Sequence, residues 1–158
     1  MISEQFKHHG IAMTVKLDQN VHPIIGNTYR FEQVILNLLT NAKDALDEKT
    51  KVSNANFEKT IEIKTYHDPR TNFVEIKDNG IGISSKDIDR IMLPFFTTKE
   101  VGIGTGLGLS VSFGIIKELN GNIDIESKPI SGTLFRISLP INSSKEISNT
   151  NISSVQKS

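Results

Sequence analysis

The chain has 158 residues, and its 18 Lys and Arg balance 18 Asp and Glu, so the formal charge at pH 7 is zero. That length suffices for one domain with a real core, no apolar run approaches the roughly 20 residues of a membrane-spanning helix, and Met1 opens no signal-peptide pattern. With no cysteine, disulfides, thiolate zinc sites and thiol nucleophiles are excluded, and the neutral balance offers no basic footprint for nucleic acid.

In chain order, Ile11, Met13, Val15 and Leu17 alternate with their neighbours, which predicts a half-buried strand. Phe31, Val34, Ile35, Leu38, Leu39, Ala42, Ala45 and Leu46 recur at helical spacing and predict a long amphipathic helix from about Thr28 to Glu48. Residues 49–59 carry no period and read as a loop. Ile61 and Ile63, then Val74 and Ile76, alternate with charged residues on either side of Asp68-Pro69-Arg70-Thr71-Asn72, the pattern of a hairpin. Ser84 or Ser85 is placed to cap a short helix through Met92, with Asp87 in its first turns. A glycine-rich stretch, Gly102 to Gly108, leads into a second long helix through Leu119, which Asn120-Gly121 stops. Strands follow at about Ile123–Ser127 and Thr133–Pro140. Of the last seventeen residues, from Asn142, ten are Ser, Asn or Thr, the composition of a flexible tail. Residues 1–141 are therefore expected to fold and 142–158 to remain a tail. Adjacent strand pairs favour an α+β two-layer sandwich, a mixed and mostly antiparallel sheet covered on one face by helices.

Four constellations carry chemistry. Asn37, Asn41 and Asp44 fall at i, i+4 and i+7 and line up at the border of the apolar face. A carboxamide oxygen there suits Mg²⁺, which takes one or two protein oxygens beside substrate phosphates; solvated or capping asparagines are the plainer alternative. Asp78 continues the alternation of Val74 and Ile76, so its carboxylate points inward, where it needs a donor such as an exocyclic amine. Gly80 and Gly82 would let the backbone lie against a flat base, although Asp78-Asn79-Gly80 also reads as a plain turn. Gly102, Gly104, Gly106 and Gly108 leave backbone N–H groups free to face an anion at a helix start, or make an empty mobile loop. Neither a dinucleotide fingerprint nor a Walker A loop is present. Pro94-Phe95-Phe96-Thr97-Thr98-Lys99 supplies two aromatics beside the glycines and a lysine within reach of a phosphate, or core aromatics and a solvated lysine.

In this order the four pieces resemble the catalytic, ATP-binding domain of a bacterial sensor histidine kinase, of the GHKL (Bergerat-fold) ATPase/kinase superfamily. Residues 33–42 are similar to its N box, Asp78 to Gly82 to the G1 box, Pro94 to Lys99 to the F box and Gly104 to Leu109 to the G2 box; Gly132-Thr133-Leu134-Phe135 resembles the closing strand motif. The resemblance implies ATP and Mg²⁺ as cofactors. It implies Asn41 as the metal ligand, Asn37 and Lys99 beside it in catalysis, and Asp78 with Thr133 at the adenine amine. It places Asp44, Gly80, Gly82, Ile83, Phe96, Thr98, Gly104, Thr105, Gly106, Leu107, Gly108 and Leu109 around the nucleotide, with Gly102 to Leu107 as a mobile lid. Asp44 stands where many relatives have a basic residue, so no phosphate contact is assigned to it. Met92-Leu93 replace the usual Phe-Glu before the F-box proline.

The superfamily's ATP hydrolases carry a glutamate four residues before the Mg²⁺ asparagine. Here that position is Asn37, and an amide accepts no proton at neutral pH; Glu32 is out of phase and off the site. The implied activity is therefore γ-phosphate transfer to a histidine on a separate dimerisation domain, with a response regulator downstream. His8, His9, His22 and His67 show no acceptor context and read as ordinary exposed histidines. A stand-alone anti-sigma-factor serine kinase and a non-catalytic ATP-sensing module remain the alternatives. The Gly-Leu-Gly-Leu-Ser ending of the G2 box disfavours the first, and intact Asn41, Asp78 and glycines disfavour the second. The domain is expected in the cytoplasm, without nucleic-acid or membrane contact.

Overall fold

The computed structural model describes residues 2–53, 56–96 and 106–141. In order these form α1 (Ile2–His8), β1 (Ile11–Lys16), α2 (Thr28–Ser53), β2 (Lys59–His67), β3 (Thr71–Asp78), α3 (Ser85–Ile88), α4 (Gly108–Glu118), β4 (Asn122–Lys128) and β5 (Gly132–Pro140). The strands make one sheet in the order β1-β2-β3-β5-β4. Only β1 and β2 run parallel, and the long α2 supplies the crossover that a parallel pair requires; the other pairings are antiparallel. The expected mixed sheet with helices on one face is what forms.

Period dictates the packing. Val34, Leu38, Leu39, Ala42 and Leu46 of α2 and Ile115 and Ile116 of α4 are buried against Ile61, Ile76, Phe135, Ile137 and Leu139 of the sheet. Asn120 turns left-handed with φ 57, and the Gly121 N–H donates to Ile116 O at 2.9 Å, which closes α4 where Asn-Gly was expected to stop it.

Four expectations need correction. First, α2 continues through Ser53, because Thr50 and Ser53 return their hydroxyls to the Leu46 and Lys49 carbonyls and Asp47 pairs with Lys43 and Lys59; it runs past the core, so the apolar period fades while the helix does not. Second, β1 ends at Lys16, and Val15 and Leu17 are exposed, since β1 is an edge strand of the sheet. Third, α3 ends at Ile88, short of Met92, and Ser84 stands at its N-cap with the hydroxyl donating to Asp87 Oδ2 at 2.7 Å in place of capping the backbone. Fourth, His22 and His67 are not isolated. Their rings meet edge-on at 5.2 Å, and His67 Nδ1 lies 2.7 Å from Asp18 Oδ2. Buried Asn72 fastens the same connector, accepting from the His22 N–H at 3.0 Å and donating to His22 O at 2.8 Å. The helix α1, whose Phe6 joins the core, had no sequence signal because seven residues carry too little period. The expected tail at 142–158 lies outside the described residues.

Candidate functional site

The polar stripe of α2 forms one wall of a cleft of about 530 Å³. Asn37, Asn41 and Asp44 line it, and Thr40, Ala45 and Glu48 carry the same wall along the helix. The Asn37 side chain is fixed by α4: Nδ2 donates to Gly108 O at 3.1 Å and to Ser112 Oγ at 3.2 Å. Ser112 is fully buried and gives its own proton to Gly108 O at 2.9 Å. Two helices are thus tied together at one end of the cleft.

The other end is built by the sheet. Asp78, the last residue of β3, and Thr133 of β5 face each other in register, and each is only 4% exposed. Asp78 Oδ1 accepts the Gly80 N–H at 2.8 Å. Burial pushes the Asp78 carboxyl up to about 6, against the opposing pull of the Gly80 and Thr133 N–H groups and the Lys49 charge. The turn beyond it is pinned from both sides. Lys49 donates to Asn79 O at 2.7 Å, while the Asn79 amide accepts from Thr60 N–H at 2.9 Å and donates to Glu58 O at 2.8 Å. Asn79 is therefore a brace, and Asp78 alone of the pair faces the cleft. Gly82 has φ 73, and a Cβ there would fall on the Lys128 carbonyl, so the loop lies close against the turn between β4 and β5.

The third wall holds Phe96, Gly106, Gly108 and Leu109. Phe95 adopts φ 65 and donates its N–H to Gly106 O at 3.0 Å. The two adjacent aromatics part company there: Phe95 is 75% exposed, whereas Phe96 enters the cleft wall with the Arg90 guanidinium 4.6 Å from its ring centre. The N-terminus of α4 opens on this wall without a side-chain cap hydrogen bond, the kind of helix start whose first N–H groups can face an anion.

Of the residues singled out in the sequence, Asn37, Asn41, Asp44, Asp78, Gly82, Ile83, Phe96, Gly106, Gly108, Leu109 and Thr133 line this one cleft. Gly80 stands behind it, because a Cβ would meet the Ala45 backbone at 2.7 Å, and Leu107 is the residue from which α4 starts. Thr98, Lys99, Gly104, Thr105 and most of the expected lid lie outside the described residues. Sequence reasoning missed Thr40, Ala45, Glu48, Ile81, Ser84, Asp87, Ile91 and Phe135 in the wall. Phe135 was legible from its alternation with Thr133; Ser84 and Asp87 read only as helix-start residues.

Among the described residues, the cleft carries Asp44, Glu48, Asp78 and Asp87 and neither Lys nor Arg. No cluster of three or more His, Asp and Glu able to hold a metal occurs among them. An amide oxygen such as that of Asn41, together with oxygens of a ligand, is a donor set that fits Mg²⁺.

The model of the family "Histidine kinase-, DNA gyrase B-, and HSP90-like ATPase" matches residues 26–143. The chain belongs to this ATPase family. A domain of this kind binds nucleotide. Its curated relatives include sensor kinase CckA of Brucella abortus, 40% identical over 139 residues, which are 83% of this chain and 15% of that protein. Sporulation kinase A of Bacillus subtilis is 35% identical over 140 residues, 89% of this chain and 21% of that protein. The chain thus spans about a fifth or less of these kinases. Among solved structures, the nucleotide-free catalytic domain of histidine kinase ThkA superposes with a TM-score of 0.72 at 28% identity, covering 89% of this chain and 86% of that one. No described helix is long and apolar enough to cross a membrane.

Proposed function

We propose that this ATPase-family domain binds Mg·ATP in the cleft and holds the γ-phosphate for transfer to a histidine on a separate dimerisation domain. It would act within a cytoplasmic sensor-kinase assembly that passes the phosphate on to a response regulator. The observation that carries the reading is the two-ended cleft of about 530 Å³, with a buried acceptor at Asp78 at one end and asparagines facing an uncapped helix start at the other.

Asp78 and Thr133 would take the adenine amine. Asn41 would hold Mg²⁺, whose contribution when bound is to neutralise phosphate charge. The N–H groups at the start of α4 would face the phosphates. Asn37 keeps the site from acting as a fast hydrolase: its Nδ2 is committed to Gly108 O, and an amide cannot take a proton from water. Glu32 is exposed and outside the cleft wall. Asp44 and Glu48 sit about 10 and 16 Å further along the helix axis than Asn37, toward the Asp78 end, so neither stands where water would attack. The family's description and the histidine-kinase catalytic domain on which the chain superposes favour histidine as the acceptor.

Calorimetric titration with ATP, with and without Mg²⁺, tests the reading. One nucleotide per chain, bound more tightly with Mg²⁺, is expected; no binding in either condition would overturn it.

A further inference from the structure

Three polar side chains stand in one row across the sheet. Asp78 of β3 pairs with Thr133 of β5, and Thr133 pairs with Ser127 of β4. Partners in antiparallel register project from the same face, so Ser127 lies directly behind Thr133 as seen from Asp78. Ser127 is not part of the cleft wall, and the proposed function assigns it nothing. Its hydroxyl nevertheless makes three contacts: with the Ile83 N–H at 2.8 Å, with Gly132 O at 3.0 Å and with Thr133 Oγ1 at 2.8 Å.

With all three contacts made as hydrogen bonds, the proton count has one solution. A hydroxyl has one proton and two lone pairs. A carbonyl only accepts, so the Ser127 proton goes to Gly132 O. A backbone N–H only donates, so Ile83 occupies one Ser127 lone pair. The bond to Thr133 must then use the second lone pair, and Thr133 supplies the proton. With that proton spent, Thr133 can show the cleft only a lone pair.

We infer that Ser127 is a specificity-determining residue: by taking the Thr133 proton it makes the base end of the cleft a pair of acceptors, Asp78 and Thr133, matched to a 6-amino purine and set against a 6-oxo purine. The inference rests on the ATP reading above and adds the means of base selection. An amino group donating both protons at about 2.9 Å, along directions about 120° apart, needs acceptors about 5 Å apart; Asp78 and Thr133 are register partners, whose Cβ atoms stand about 4.5–5.5 Å apart. A 6-oxo group would instead aim lone pairs at both.

The test compares ATP with inosine triphosphate by calorimetry at pH 8, where Asp78 is ionised. The unmodified chain should prefer ATP by about tenfold or more, the effect of one unmatched buried polar group. Ser127→Ala releases the Thr133 proton to swing toward O6, so the ATP-to-inosine preference should fall at least about fivefold; Ser127→Thr, which keeps the hydroxyl, should retain it. A purely structural role for Ser127 would weaken both nucleotides alike, and an unchanged preference in Ser127→Ala would overturn the inference. Should that variant not fold, N6-methyl-ATP on the unmodified chain decides: with one N–H lost it should bind about tenfold more weakly than ATP, and equal affinity would overturn the inference. An unmodified chain that binds neither nucleotide would overturn the ATP reading itself, and this inference with it.

Discussion

The side-chain amide of Asn37 donates to the carbonyl of Gly108, joining the middle of α2 to the first turn of α4 at 3.1 Å. Because a carbonyl can only accept, the NH₂ group faces α4 and the acceptor oxygen of Asn37 is what remains. Asn37→Asp would set a carboxylate against that carbonyl beside buried Ser112. A loss of about 1–3 kcal/mol in stability is expected, measured by urea denaturation of the nucleotide-free chain; unchanged stability would show that the tie between the helices carries no weight.

Asp78 gives the site a pH dependence of definite sign. Its folded carboxyl is raised from 3.8 to about 6 by burial, so the folded state holds the proton more tightly than the unfolded chain does. Its contribution to stability is fully present below about pH 4 and is lost as pH rises through about 6. An adenine amine donates to the ionised form and should pull the carboxyl back down. ATP affinity is therefore expected to rise between pH 5 and pH 7, with proton release on binding near pH 6. Calorimetry in two buffers of different ionisation enthalpy reads both, and Asp78→Asn should bind weakly at every pH. A flat affinity across that range in the unmodified chain would contradict the assignment.

Gly132 has φ 108, and a Cβ there would sit on the Asp78 carbonyl. Gly132→Ala should force β3 and β5 apart at the Asp78–Thr133 pair, costing about 1–3 kcal/mol and weakening ATP binding as well. An unchanged melting temperature would show that the strands tolerate the separation.

Asn41 is half-buried on the cleft wall and belongs to no part of the core. Asn41→Ala is expected to abolish the Mg²⁺-dependent tightening of nucleotide binding while leaving the apo melting temperature nearly unchanged. A large fall in that temperature would mark Asn41 as structural.

The legible parts of this chain were those with a strong period or a chemically costly residue. The α2 stripe follows from 3.6-residue spacing, and the inward Asp78 follows from two-residue alternation with Val74 and Ile76. What escaped depends on contacts between distant segments. The C-terminal third of α2 is held by hydroxyl back-bonds and the Lys43–Asp47–Lys59 pairs, which leave no apolar pattern. Ser84 and Asp87 read as the start of a short helix, yet both reach the cleft wall. His67 and Asp18 are 49 positions apart in sequence, and nothing local announces their contact.

Incubating the chain with γ-labelled ATP and Mg²⁺, alone and beside a separate helical domain that bears an acceptor histidine, addresses the central claim most directly. The account expects the lone chain to keep ATP intact and stay unlabelled, and acid-labile label to appear on the added domain. Transfer should be slow, because untethered domains lack the effective concentration that a covalent linker provides. Steady release of inorganic phosphate by the lone chain, or acid-labile label on one of its own four histidines, would contradict the account.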